Sequence, residues 1–180
     1  CFVGLFRVVG PPIVVGPCRG FHCLSDYEYV LNSSQADGFG RLAAKVCATG
    51  SRLGGVNDCW TATPPGATDL DAAAIVTLLG PMRLAHALSN QPTVRPLPFL
   101  LIARGTGRVH PDDVLDPNRA IGMGSARVLP QEHPGLRVAH LDVDGDPDVT
   151  DLLLAHTAAE ASERAAPLRA SPAGYLRRPW

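Results

Sequence analysis

Leu97–Ala103, Leu-Pro-Phe-Leu-Leu-Ile-Ala, is an uninterrupted apolar run set between Pro96 and Arg104-Gly105. It is apolar on both parities, so neither face of a strand made from it could meet water. Strands covered on both faces belong to parallel sheets flanked by helices. The run therefore selects an α/β architecture before any motif is considered. The surrounding order agrees. Val56–Ala62 and Leu136–Val143 read as further strands, and helical patterns separate them. Alternating strand and helix imply βαβ units with right-handed crossovers, a Rossmann-like parallel sheet flanked by helices.

Earlier in the chain, Phe2–Val9 and Ile13–Val15 are β-branched runs divided by Gly10-Pro11-Pro12, one interrupted strand or two. Residues 16–27 read as irregular, and 27–31 as extended. Ser33 or Ser34 is placed to cap a helix running to about Ala48, with Phe39, Leu42, Ala43 and Val46 on one face. Gly50 ends it, and Gly54-Gly55 reads as the next turn. Thr68-Asp69-Leu70-Asp71 opens a second helix, which Pro81 must kink or break because proline removes a donor and clashes one turn back. Asp116-Pro117 opens a third, with Gly122 and Gly124 inside it for close packing on the sheet. A fourth is expected from Asp146-Pro147 to about Arg164, and Gly174–Arg178 as a last strand.

A chain of 180 residues suffices for one domain with its own core. The net charge is −1 and Lys45 is the single lysine, so there is no basic stripe for nucleic acid. No apolar run is long enough to span a bilayer, and no signal peptide is visible. The chain starts at Cys1, which suggests a piece of a longer polypeptide. Five cysteines without framework spacing suit reduced thiols and a cytoplasmic setting.

A Rossmann-like sheet invites a search for a dinucleotide site. The only GxGxxA string is Gly38-Phe39-Gly40-Arg41-Leu42-Ala43. A working fingerprint follows a buried strand directly, whereas here polar residues 32–37 precede it and the glycines fall inside the helix. Gly105-Thr106-Gly107 and Gly122-Met123-Gly124 lack a third glycine, and no phosphate-cradling loop precedes Lys45. A short-chain dehydrogenase pairs a tyrosine with a lysine four residues later; Arg41 stands at that distance from Lys45. No GxSxG elbow occurs.

Two clusters resemble metal sites. Asp142, Asp144, Asp146 and Asp148 alternate like the start of a calcium loop, but Pro147 and Leu153 replace its glycine and closing glutamate. A strand end followed by a helix cap explains them. Cys18, His22 and Cys23 form one irregular cluster, while Cys47 and Cys59 read as small buried hydrophobes. His86, His110, His140 and His156 share no spacing, and Glu132-His133 reads as a helix C-terminus rather than an acid–base pair. The residues thus offer no catalytic, cofactor-binding or metal site.

Gly124, Arg127-Val128-Leu129, Glu132-His133-Pro134 and Leu141-Asp142 together resemble the structural, N-terminal half of ketoreductase domains in modular type I polyketide synthases. Tyr29-Val30-Leu31 with the helix after Asp37 is similar to that family's tyrosine-containing strand and helix. Val56-Asn57-Asp58-Cys59-Trp60 resembles its Val-x-His-x-Trp strand, with Asp58 in place of histidine, and Leu78–Leu88 its next helix. The likeness spans residues 29–180; residues 1–28 match poorly. No single motif is diagnostic, and order and spacing carry the likeness.

The resemblance implies a truncated, non-catalytic Rossmann-like subdomain covering 1–180. It would support a catalytic half that follows Trp180, and that half would reduce β-ketoacyl groups on an acyl carrier protein with NADPH. The alternatives are a free-standing NAD(P)-binding oxidoreductase built on Gly38–Ala43, and a metal-binding or interaction module built on Cys18–Cys23 or Asp142–Asp148.

Overall fold

A computed structural model describes residues 3–7, 12–48, 53–62, 69–92, 96–108, 111–143, 168–171 and 174–177. Their strands form one nine-stranded sheet: β1 (Val3–Arg7), β2 (Ile13–Pro17), β3 (His22–Ser25), β4 (Glu28–Leu31), β5 (Leu53–Thr61), β6 (Leu97–Ala103), β7 (Leu136–Val143), β8 (Leu168–Ser171) and β9 (Gly174–Arg177). The spatial order is β3-β4-β2-β1-β5-β6-β7-β8-β9. β5 through β8 are mutually parallel, and β2 is parallel to β4. β1 runs antiparallel to both β2 and β5, which leaves those two pointing the same way. One strand direction thus dominates, and the fold is Rossmann-like.

β6 explains why. Every residue except Pro98 is buried, as a strand covered on both faces requires. Alternate side chains enter separate cores. Leu97, Phe99 and Leu101 join Phe39, Leu42, Val46, Leu84, Leu88 and Leu129 from the helices. Leu100 and Ile102 join Leu141 and Val143 on the other face. Each fully buried Leu or Phe contributes about 2 kcal/mol of apolar transfer, so this strand anchors the sheet.

The helices are α1 (Ala36–Ala48), α2 (Leu70–Ala74), α3 (Gly80–Ser89), α4 (Pro117–Ala120) and α5 (Met123–Glu132). The connections β4 to β5, β5 to β6 and β6 to β7 all move the same way across the sheet. Right-handed crossovers then place their helices on one face, and the shared core of α1, α3 and α5 follows.

Local chemistry shifts several expected boundaries. α1 begins at Ala36 rather than after a serine cap, because Asn32 organises its approach: Asn32 Oδ1 accepts the Ser34 N–H at 2.9 Å and its carbonyl accepts the Gln35 N–H at 3.0 Å. Gly54 and Gly55 lie within β5 instead of forming a turn. Asp69 caps α2 by accepting the Asp71 N–H. Pro81 stands in the first turn of α3, directly after an interruption of the regular helix. Ile75–Leu79 widens into a π-helical turn that joins α2 to α3 and absorbs the missing donor. The resulting stretch Leu70–Ser89 has 20 residues and the length and hydropathy of a membrane span. Within it Leu84, Ala85 and Leu88 are buried in the core.

Asp116 caps α4 as expected, accepting the Asn118 N–H at 3.0 Å. The expected single helix is nonetheless divided at Ile121-Gly122. A methyl group at Gly122 would lie 2.9 Å from the Thr77 carbonyl oxygen, so the close approach is to the π-helical turn and not to the sheet. β3 and β8 fall where no strand was expected. The expected helix from Asp146 lies outside the described residues.

Candidate functional site

The carboxyl ends of the parallel strands are where open α/β sheets bind ligands. Asp142 stands there, paired in register with Ala103 at the end of β6. Its Oδ2 accepts the N–H groups of Thr106 at 3.1 Å and Gly107 at 2.9 Å. Charge-assisted bonds of this kind tie the loop after β6 to β7. Gly105 turns that loop with φ 66°, a left-handed conformation that favours glycine, and its carbonyl accepts the Asp116 N–H at 2.9 Å. Asp116 pairs with Arg119 at 3.0 Å, and Arg119 donates to the Arg104 carbonyl. Asp142, Asp116 and Arg119 thus hold the loop, while Thr106 Oγ1 is buried without a hydrogen-bond partner among the described residues.

Beneath the helical layer, Asp58 and His140 flank Leu101 in one cross-strand row. They are 1% and 7% exposed. Asp58 Oδ1 accepts the Trp60 N–H at 3.0 Å, while Oδ2 has no hydrogen-bond partner among the described residues. Burial pushes the Asp58 carboxyl up to about 7, against the lowering effect of the Trp60 N–H. Burial lowers His140, opposed by Asp142. Burial, reinforced by Asp58, pushes the Cys59 thiol up to about 12, which removes it as a thiolate nucleophile. With β6 between them, the backbones carrying Asp58 and His140 are roughly 10 Å apart. Direct proton transfer needs hydrogen-bond reach, so the row is no acid–base pair.

The helical layer itself has a cleft of about 460 Å³, lined in part by Gly40, Met82, Arg83, His86, Asn90 and His133. The His86 and His133 rings meet edge-on at 6.0 Å, and Asn90 Nδ2 lies 3.2 Å from His86 Nε2. Arg83 reaches the Ser33 carbonyl. His133 ends α5: its N–H donates to Leu129 O and its carbonyl accepts the Leu136 N–H, both at 2.8 Å. Glu132-His133 is therefore a structural corner, as its sequence suggests.

The other motifs disperse. Gly38 and Gly40 both lie within α1. A Cβ at Gly38 would touch Leu31 at 3.5 Å, and one at Gly40 would meet nothing. Arg41 stacks on Phe21 at 4.5 Å from the ring centroid, and Phe21 lies 6.2 Å from Tyr29. Cys18, His22 and Cys23 are exposed, and no group of three metal donors occurs among the described residues. Cys47 and Cys59 pack beside the two cores. His110, His156, Asp144, Asp146 and Asp148 lie outside the described residues. Asp58 was visible only as a departure from a motif. Its one further signal is an acid inside an otherwise strand-like run.

No protein-family model matches the chain, and no curated protein matches it. Solved structures do. The chain superposes with a TM-score of 0.78 and 15% identity on a multidomain structure of adenylation, ketoreductase and pseudo Asub parts from a keto acid-selecting NRPS module. That match covers 92% of this chain and 14% of the other. A short-chain dehydrogenase/reductase from Serratia marcescens BCRC 10948 matches with a TM-score of 0.58 and 9% identity, over 84% of this chain and 78% of that one. A Brucella ovis oxidoreductase of the same family, in complex with partially ordered NAD, gives 0.52 and 16% over 77% and 73%.

Dinucleotide phosphates in such folds sit at a helix N-terminus. The described helices that follow parallel strands each open on a carboxylate: Asp37 in α1, Asp69 and Asp71 in α2, and Asp116 at α4. Like charge opposes a phosphate at each of these starts. The fold is Rossmann-like and similar to that of these short-chain dehydrogenase/reductase structures.

Proposed function

We propose that this chain is the structural subdomain of a ketoreductase in a modular polyketide synthase. It spans 1–180 and carries no catalytic, cofactor or metal site of its own. It braces a catalytic half that follows Trp180, and that half reduces β-ketoacyl groups on an acyl carrier protein with NADPH in the cytoplasm. The observation that supports this reading is the tethered loop at the carboxyl edge of the sheet. Asp142, Asp116 and Arg119 hold the loop after β6 in place, and carboxylates occupy the helix starts where phosphates would dock. The resemblance of Gly124–Asp142 to such subdomains supplies the synthase context. A free-standing oxidoreductase would need Gly38–Ala43 as a phosphate loop, and both its glycines lie inside α1.

The test is complementation. The chain and the polypeptide encoded in frame after it are produced separately and mixed. NADPH-dependent reduction of a β-ketoacyl thioester is expected only with both present. Reduction by the 180-residue chain alone overturns the proposal.

A further inference from the structure

We draw no further inference here: the strongest candidate, the cleft between α1, α3 and α5 beside His86 and His133, has Arg83 already engaged by the Ser33 carbonyl and His86 by Asn90, and nothing in the structure shows what ligand or partner would cover it.

Discussion

Replacing Asp58 with asparagine should shift relative stability in the variant's favour as the pH rises from acid to alkaline. The side chain is fully buried, and burial pushes its carboxyl up to about 7 from the ordinary 3.8. The shift of about 3 units corresponds to roughly 4 kcal/mol at about 1.4 kcal/mol per unit. A raised pKa means that the folded state holds the proton more tightly than the unfolded chain. That contribution is complete below about pH 4 and is lost as the pH rises to about 7.

The asparagine amide cannot ionise, and its oxygen can still accept the Trp60 N–H that Asp58 accepts. The added amide donor costs about 1–3 kcal/mol if unpaired, equally at every pH. The informative quantity is therefore the slope. Urea unfolding of the wild type and Asp58→Asn at about pH 4, 6 and 8 should show the difference move in the variant's favour by up to about 4 kcal/mol. A difference that does not change with pH would refute the burial argument.

Three further substitutions separate packing from chemistry. Gly40→Ala should stabilise by about 0.5–1 kcal/mol in thermal unfolding, because the position is helical and a Cβ there meets nothing; a phosphate-loop glycine would show lost cofactor binding instead. Gly122→Ala should cost about 1–3 kcal/mol, since its methyl group would press on the Thr77 carbonyl at 2.9 Å, and a neutral change in denaturant midpoint would contradict that contact. Asp142→Ala should cost about 2–3 kcal/mol and speed amide exchange at Thr106 and Gly107, whose N–H groups it accepts; unchanged exchange there would argue against the tether.

What could be read from sequence depended on how locally each element is determined. β6 begins and ends where expected because burial on both faces leaves an apolar run with abrupt ends, and β7 does so although Arg137, His140 and Asp142 interrupt its apolar pattern. Asp69 and Asp116 were legible because helix capping is a contact between near neighbours. β3 was missed because an edge strand needs neither apolar alternation nor β-branched residues, and its pairing with β4 is its main support. The placing of antiparallel β1 between β2 and β5 is a long-range choice that no local pattern encodes. At the division of the third helix, Gly122 packs against the Thr77 carbonyl, more than forty residues earlier in the chain. Pro81 marked a disturbance, but the widened turn that relieves it was not legible from proline alone. At the candidate site, the Glu132-His133 corner was readable from its helix-ending pattern. The buried state of Asp58 was not, because it is set by the helices laid over β5.

Titrating NADPH into the purified 180-residue chain, followed by calorimetry and by nicotinamide fluorescence, tests the central claim most directly. Carboxylates at the described helix starts and glycines enclosed in α1 predict no saturable binding up to millimolar cofactor. Stoichiometric binding at micromolar NADPH would contradict a subdomain whose role is support alone.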